Sequence, residues 1–399
     1  MTAATAQVSP ARRAAYAVVR RVLAEDAWAD RALHGEARGL DQRDRALAKQ
    51  LAFGTVQRRL TLDHLIAQRT KGRLEVGVRA ALQLGLFQLV FLERVAAHAA
   101  IAEAVELAKP SPGHRVVNAV LRRVQREGVE LPADDTVAGA AIRHSHPEWL
   151  VRLWWDLLGA DGARALLAAN NEPAELALRV NPLVAFDLSD LPGERTGDTI
   201  VVAGPFDALG HPGYAAGAFT PQSRASQLVA PALDPQPGER VLDLCAAPGG
   251  KTTHLAALMR DEGEIVAVER HRGRARALQA TARRMHASIV GVVVGDARAF
   301  HDEDGFDRVL LDPPCSGLGT LRSHPDLRWR VTPRTIALLA REQDALLAAA
   351  RRARRPGGAL VYSVCTISPA EERLAAAGAI RTAPHEDGTD GFYIARDGG

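Results

Sequence analysis

Three cysteines are the side chains of this sequence best suited to bond covalently with a substrate. Cys245, Cys315 and Cys365 are widely separated, in a pattern that fits neither a zinc knuckle nor a disulfide framework. Each lies at or just beyond the end of a short apolar run typical of a buried strand, where ligand sites of parallel sheets form. A cysteine held there can act as a nucleophile, although many buried cysteines are only small apolar side chains.

Acidic residues stand at the ends of three further apolar runs. Glu269, Asp296 and Asp312 each lie at or directly after such an end. Packing alone does not predict an acid at three successive strand ends. A carboxylate at the tip of the second strand can hold a ribose by its two hydroxyls, so the pattern indicates a nucleotide-like ligand.

A loop of small residues follows the apolar run at 241–245. It consists of Ala246, Ala247, Pro248, Gly249 and Gly250. Its backbone can approach a ligand closely, and Lys251 then precedes a helical pattern. A strand, a tight turn and a helix in this order form the nucleotide site of open parallel sheets, although one such loop also occurs as a plain connection.

The first two thirds of the chain change from helical to mixed patterning. Residues 10–124 have helical spacing almost throughout, and the nearly all-apolar stretch 78–92 predicts a buried helix at the centre of a helical bundle. Further on, helices are expected at 150–158 and 162–170, followed by a strand at 176–182 that a proline ends.

From about residue 234 the chain alternates strands with helices, which predicts right-handed crossovers and a parallel sheet. Residues 333–352 are expected to form a long helix. Residues 359–363 follow as a fifth strand, which delivers Cys365 to the sheet edge that also carries Asp312.

Five ordered motifs in this last part carry a resemblance to a known family. They are DLCAAPGGKT at 243–252, VER at 268–270, GDAR at 295–298, LDPPCSGLGTLRSHPDLRW at 311–329 and YSVCT at 362–366. Together they resemble the motifs of S-adenosylmethionine-dependent RNA cytosine-5 methyltransferases. The whole chain resembles the bacterial Sun/RsmB-type enzymes that act on small-subunit ribosomal RNA.

The resemblance implies a multidomain protein. Its parts would be an all-α NusB-like RNA-binding domain at 1–128, a linker and small mixed α/β RNA-contacting module at 129–233, and a Rossmann-like α/β class I methyltransferase domain at 234–399. The NusB-like part is carried by AVELAK at 104–109 and RVVNAVLRRV at 115–124.

Two departures from the family pattern stand out. Ser223 occupies a position where relatives more often have an acidic residue, which puts one contact in doubt. The stretch between residues 371 and 390 has few residues for the longer helix and strand that relatives carry there. An outer strand of the sheet is therefore expected to be shortened or missing.

The resemblance also implies which residues hold S-adenosylmethionine. Glu269 would bind its ribose and Asp296 its adenine, with Asp312 close by. The methionine end would lie against Cys245, Ala246, Ala247, Pro248, Gly249, Gly250 and Lys251.

The chemistry of carbon-5 explains why such a site needs a cysteine. This carbon is a poor nucleophile until a thiolate adds to carbon-6 and breaks the conjugation of the ring. DNA cytosine methyltransferases use the cysteine of a Pro-Cys motif, which would favour Cys315. The RNA family uses the cysteine after the fifth strand, so the resemblance implies Cys365 as nucleophile and Cys315 in product release. Asp312 would hydrogen-bond the ring nitrogen next to the amino group.

Ribosomal RNA is the partner that the resemblance implies. The target base must leave its stack, and arginines can contact the phosphates around it. Arg179 and Asn181 of the RVNP motif, with Arg322 and Arg328 of the fourth motif, are the candidate RNA-binding residues.

Composition sets looser bounds. A net charge of +3 and a pI near 8.9 allow nucleic-acid binding without demanding it. No run is long enough to span a bilayer, no signal peptide is evident, and a reducing cytoplasm is expected. His144 and His146 lack a third nearby ligand, so no metal is expected. A monomer without an obligate protein partner is the expectation.

Several alternatives remain at this point. The substrate could be tRNA or large-subunit RNA, or the chain could be a non-catalytic NusB-like RNA-binding assembly factor. An amino-group methyltransferase is disfavoured because Cys315 stands where those enzymes have an aromatic residue. A nicotinamide-dependent oxidoreductase is disfavoured because the loop lacks the Gly-x-Gly-x-x-Gly spacing.

Overall fold

The computed structural model describes residues 8–398, which fall into two compact units. The first unit comprises the chain up to Asn171 together with His324–Arg330. The second comprises Glu172–Ser323 and the chain from Val331 onward. The helices 137–144 and 148–169 thus group with the preceding helices, whereas a boundary near residue 128 was expected from the sequence.

The first unit is built from helices. Up to Asn171 they are α1 (Pro10–Glu25), α2 (Ala29–Glu36), α3 (Gln42–Gln57), α4 (Arg59–Ala67), α5 (Val76–Phe91), α6 (Ala97–Ala108), α7 (His114–Glu127), α8 (Val137–His144) and α9 (Glu148–Ala169). Gly159, with φ 72°, interrupts α9 and divides it into the two helices that the sequence predicted.

Helix α5 packs against α1, α3, α6 and α7, which confirms the prediction of a buried central helix. Gly54 of α3 lies so close to Phe87 that a Cβ at this position would stand 2.0 Å from the ring. Helix α7 buries Val117, Val120 and Leu121 on one side and exposes arginines on the other. This separation is the signature of a helix that covers a core and faces solvent.

The second unit begins with a four-stranded antiparallel sheet in the order β2-β3-β1-β4. Its strands and the helices after it are β1 (Ala177–Val180), β2 (Gly193–Thr196), β3 (Thr199–Val202), α10 (Pro212–Ala215), β4 (Phe219–Pro221), α11 (Arg224–Gln227) and α12 (Val229–Leu233). The sequence predicted β1. It missed β2, which is exposed along its whole length and so carries no apolar pattern.

A seven-stranded sheet with flanking helices completes the second unit. In chain order these elements are β5 (Arg240–Leu244), α13 (Gly250–Leu258), β6 (Glu264–Glu269), α14 (Arg272–Arg284), β7 (Val290–Val294), β8 (Phe306–Leu311), α15 (Leu327–Arg330, which belongs to the first unit), α16 (Pro333–Ala353), β9 (Arg354–Val364), a 3₁₀ turn (Pro369–Glu371), β10 (Ile380–Thr382), α17 (Pro384–Asp387) and β11 (Phe392–Asp397).

The strand order is β10-β11-β9-β8-β5-β6-β7, with β5 to β9 parallel and β11 antiparallel to both of its neighbours. This confirms the predicted Rossmann-like sheet. Leu244 at the end of β5 pairs with Val268 of β6 and Leu311 of β8. The residues after these three strands therefore meet at one edge, where the strand order reverses and ligands bind in such folds.

The outer part of the sheet is shortened, as the sequence predicted, but it is not missing. Strand β10 has three residues, and a 3₁₀ turn precedes it in place of a longer helix. Strand β11 pairs with β9 over five residues, so the sheet keeps all seven strands. None of the helices found between residues 8 and 398 combines the length and apolar character that crossing a membrane requires.

Candidate active site

The small-residue loop after β5 turns sharply into helix α13. Cys245 and Gly249 have left-handed backbone angles, with φ 69° and 103°, and the peptide bond between Ala247 and Pro248 is cis. A Cβ on Gly249 would lie 2.7 Å from Cδ1 of Leu278 in α14, so glycine is needed for both its angle and its close approach.

Asp243 supports this loop from within the sheet. Its side chain is buried, and Oδ2 accepts a hydrogen bond of 2.7 Å from Oγ1 of Thr252. Burial raises the pKa of Asp243 to about 7, although the Thr252 hydrogen bond opposes the shift. Burial and nearby acids raise the pKa of Cys245 to about 12, so this thiol is not a nucleophile at neutral pH.

A cleft opens at the carboxyl ends of β5 and β6, where ligands bind in sheets of this kind. Its lining includes three predicted cofactor residues, Cys245, Glu269 and Asp296. Sequence reasoning missed further lining residues, which come from α14, α16 and the loops beside them: Arg270, His271, Arg274, Glu342 and Leu346.

Glu269 is nearly buried at the end of β6, with 4% of its surface exposed. Its Oε1 accepts from the His271 backbone amide at 2.8 Å, and Oε2 lies 3.5 Å from Nε of Arg274. Arg274 also donates to the carbonyl of Ala247 at 2.8 Å, which links Glu269 to the small-residue loop. The carboxylate is thus fixed in place with lone pairs left to accept hydrogen bonds from a ligand.

Asp296 is more exposed and is held by a neighbour in sequence. The Arg298 side chain donates to both carboxylate oxygens, with Nε 2.9 Å from Oδ1, and the Arg298 amide donates to Oδ1 at 3.0 Å. These hydrogen bonds lower the pKa of Asp296 to about 2, so the side chain is an acceptor throughout the neutral range.

Lys251 and Asp312 form an ion pair at the same sheet edge. Nζ of Lys251 lies 2.7 Å from Oδ2 of Asp312, while Ser363 donates to Oδ1 at 3.0 Å. Burial lowers the pKa of Lys251, but Asp312 and the nearby Cys365 outweigh it, so the pKa is raised. Lys251 therefore remains a cation beside both Asp312 and the predicted nucleophile.

The sulfur atoms of Cys315 and Cys365 lie 3.3 Å apart. Cys315 follows β8 and Cys365 follows β9, and these strands are neighbours in the sheet. The hydrogen bond with Cys365 and burial raise the pKa of Cys315 well above its usual range. Cys315 is therefore a neutral thiol as long as Cys365 is not bonded to a substrate.

Two buried polar residues that the sequence analysis missed lie beneath this thiol pair. Glu371 and Gln343 are both fully buried and hydrogen-bond to the loops that carry the cysteines. Neither follows the end of a strand and neither lies in a motif, so the sequence offered no signal for them.

Arg179 and Asn181, two of the predicted RNA contacts, are buried within the second unit. Arg179 donates to Gln222 at 2.7 Å and to Thr253 at 2.9 Å, and burial lowers its pKa to about 9. Asn181 donates to the carbonyls of Gly217 and Met285 at 2.9 and 2.8 Å. Both side chains brace the structure, and an RNA contact would require them to become exposed.

Arg322 and Arg328 also use their donors on backbone carbonyls. Arg322 donates to Gly388 at 2.9 Å and to Pro173. Arg328 is fully buried in the first unit, where it donates to the carbonyls of Ser145 and Asn170. Across the described part of the chain, no cluster of His, Cys, Asp and Glu side chains has the arrangement of a metal site.

Comparison with family models gives matches along most of the chain. The 16S rRNA methyltransferase RsmB/F model matches residues 230–382, and the NusB family model matches residues 9–126. A ferredoxin-like domain of RsmF/B-like methyltransferases matches residues 146–185.

Individual relatives cover nearly the whole chain. A probable ribosomal RNA small subunit methyltransferase B of Synechocystis sp. is 39% identical, over 90% of this chain and 86% of its own. The ribosomal RNA small subunit methyltransferase B of Vibrio cholerae is 33% identical, over 88% and 89%. The crystal structure of PH0851 superposes with a TM-score of 0.80 at 25% identity and covers 98% of this chain and 99% of its own. The chain therefore belongs to the ribosomal RNA small subunit methyltransferase B family.

Proposed function

We propose that this chain transfers a methyl group from S-adenosylmethionine to carbon-5 of a cytosine in 16S ribosomal RNA. The names of its relatives support ribosomal RNA methylation. The observation that carries the choice of carbon-5 is the thiol pair. The two sulfur atoms lie 3.3 Å apart beside Asp312, so both can reach the same base. One can form a covalent bond to the base and the other can help to break it.

The residues of the cleft fit the cofactor. Glu269 offers acceptor positions that suit the two ribose hydroxyls, and the ionised Asp296 suits the adenine amino group. The small side chains of residues 245–250 leave the backbone open to the methionine end. When bound, S-adenosylmethionine supplies an electrophilic methyl group.

Cys365 would begin the reaction by adding its thiolate to carbon-6 of the base. The Lys251 cation lies close enough to this sulfur to attract the negative charge of the attacking thiolate. As negative charge develops on the ring, Lys251, 2.7 Å from Asp312, supplies a proton that Asp312 passes to the ring nitrogen. Carbon-5 is thereby made nucleophilic towards a methyl group. The proton returns by the same route when the Cys365 thiolate leaves.

Cys315 would end the reaction by removing the remaining proton of carbon-5, after which the Cys365 thiolate leaves carbon-6. The hydrogen bond with Cys365 raises the pKa of Cys315 most, and burial adds to this increase. Once Cys365 is bound to carbon, it no longer carries the charge that opposes ionisation of Cys315, so Cys315 can lose its own proton to solvent and act as a thiolate base. The base for product release thus becomes available after the adduct has formed.

The NusB-family region would supply RNA affinity. Helix α7 exposes arginines along the face opposite its buried residues, and such side chains can contact phosphates without reading sequence. These residues are Arg115, Arg122, Arg123 and Arg126.

The test is transfer of labelled methyl from S-adenosylmethionine to unmodified small-subunit RNA by wild type, Cys365→Ala and Cys315→Ala. We expect Cys365→Ala to abolish transfer. We expect Cys315→Ala to accumulate a protein–RNA adduct that survives denaturant, because addition can proceed but release cannot. Methylation by Cys365→Ala would contradict the assignment of the nucleophile. Absence of S-adenosylmethionine binding by the folded protein in calorimetry would contradict the enzyme as a whole.

A further inference from the structure

Glu371 ends the 3₁₀ turn beneath the thiol pair and is fully buried. Its Oε1 accepts hydrogen bonds from the Ser316 amide at 2.8 Å and from Nε2 of Gln343 at 3.2 Å. Its Oε2 accepts from the hydroxyls of Ser316 at 2.5 Å and Thr366 at 2.9 Å. A carboxylate is rarely buried unless donors surround it, and here four donors converge on one side chain.

Two of the partners of Glu371 are the immediate neighbours of the two cysteines. Ser316 follows Cys315 and Thr366 follows Cys365, and their hydroxyl oxygens lie 2.8 Å apart. The carboxylate therefore fastens one loop to the other at the residue after each thiol. Because hydrogen bonds to a charged acceptor are among the stronger ones in proteins, this clamp limits how far the sulfurs can separate.

Other contacts hold the clamp in place. Nε2 of Gln343, from α16, also donates to the carbonyl of Pro314 at 2.9 Å. The hydroxyl of Tyr362 in β9 donates to the backbone carbonyl of Glu371 at 2.7 Å. Helix, strand and turn thus converge on a residue whose side chain contacts both cysteine loops.

We propose that Glu371 is a positioning residue that sets the distance between the thiols of Cys315 and Cys365 and thereby permits release of the product. The inference rests on the proposed function, since it assigns these thiols to successive steps. It is independent of which RNA is the substrate.

The geometry predicts which step is sensitive to Glu371. Addition of Cys365 to the base needs one thiol, whereas release needs the second thiol to reach the adduct formed by the first. In Glu371→Gln, an amide nitrogen replaces one carboxylate oxygen, so two of the four donors lose their charged acceptor and keep at most a weaker, neutral hydrogen bond. Release is therefore expected to slow more than addition.

The first experiment compares methyl transfer by wild type, Glu371→Gln and the matched control Glu372→Gln. Glu372 is the next residue and pairs with Arg381, away from the cysteine loops. For Glu371→Gln we expect a fall in kcat of about tenfold or more, which is about 1.4 kcal/mol or more of transition-state stabilisation. The KM for S-adenosylmethionine is expected to stay unchanged, and a denaturant-stable RNA adduct is expected to accumulate.

A purely structural role would give a different result. Lower activity together with a lower Tm and no adduct would overturn the proposal, as would activity and adduct levels equal to those of Glu372→Gln. Should Glu371→Gln fail to fold, Thr366→Val removes one donor of the clamp with little change of shape, and the same adduct is expected in smaller amount. A folded Thr366→Val variant with wild-type release would also count against the clamp.

The second experiment measures the thiol distance without RNA. Diamide takes one hydrogen from each thiol, which joins the sulfurs in a disulfide and reduces the reagent to a hydrazine. Peptide mass spectrometry then follows the Cys315–Cys365 disulfide. We expect slower formation in Glu371→Gln than in wild type and Glu372→Gln, and an equal rate in all three would overturn the proposal. If the disulfide rates differ as expected but wild type does not methylate cytosine, the proposed function fails and the positioning role stands.

Discussion

Asp243 shows how one buried side chain beneath the small-residue loop after β5 makes stability depend on pH. Its pKa is raised from the usual value near 4 to about 7 by burial. The folded state therefore holds a proton that the unfolded chain has already lost between these values. The stability associated with this proton is present below pH 4 and is lost as the pH rises to 7.

Asp243→Asn removes this titration while keeping an acceptor for Thr252. We expect the free energy of unfolding of wild type to fall relative to the variant by about 1.4 kcal/mol for each pH unit between about 4 and 7. Denaturant unfolding of both proteins at several pH values measures the difference, in which other titrating groups cancel. A difference that stays constant across this range would contradict the raised pKa.

The cysteines make a second point at the residue scale. Their types and motifs in the sequence indicated thiol chemistry, but Cys245 differs from the other two only through its surroundings. Cys245 lines the cleft at the ends of β5 and β6 and has a pKa of about 12, whereas Cys315 and Cys365 face each other. The residue type indicates which reaction is possible, and the surroundings of each cysteine determine whether it can take part in that reaction.

At the scale of an element, the turn between β5 and α13 depends on one glycine. Gly249 has φ 103° and stands against Leu278 of α14, so any side chain there meets both strain and a clash. Because this turn is the proposed binding site of the cofactor, its distortion is expected to weaken cofactor binding more than it disturbs the sheet.

Gly249→Ala is expected to weaken S-adenosylmethionine binding by about tenfold or more, because a left-handed alanine costs about 1–2 kcal/mol before the clash is counted. Titration calorimetry measures this loss. Gly273→Ala in α14 is the matched control, since a Cβ there meets nothing within 4 Å. Equal affinities of the two variants would show that the turn does not hold the cofactor.

At the scale of the whole molecule, seven residues from the middle of the methyltransferase sequence belong to the helical unit. Arg328 occupies the centre of this segment and donates to the carbonyls of Gln57, Ser145 and Asn170 and to the side chain of Asn171. Trp329 donates to the carbonyl of Val56 at 2.8 Å. The first unit is therefore completed by chain that lies far away in sequence.

Arg328→Ala leaves these buried carbonyls without their donor, and each such group costs about 1–3 kcal/mol. We expect the unfolding of the helical unit to shift to lower temperature by several degrees, measured by calorimetry or circular dichroism. Arg334→Ala, at an exposed position on α16, is the control and is expected to leave the Tm unchanged. Equal Tm values would mean that the segment does not support the unit.

The sequence by itself determined the kinds of element and the order of the motifs. Apolar residues at helical spacing predicted the helices around α5, because that spacing reflects which face of a helix is buried. Short continuous apolar runs predicted the strands β5, β6, β8 and β9, which are buried on both faces. The shortened outer strand could also be anticipated, since too few residues remained to build a longer one.

Only the tertiary structure decided which side chains meet. Cys315 and Cys365 come within 3.3 Å because β8 and β9 are neighbours, and Glu371 joins them from a turn that no pattern marks. Arg179 and Arg328 were predicted to contact RNA, yet their guanidinium groups are buried against carbonyl and side-chain acceptors. A guanidinium donates equally well to a phosphate or to a backbone carbonyl, so long-range packing selects its partner.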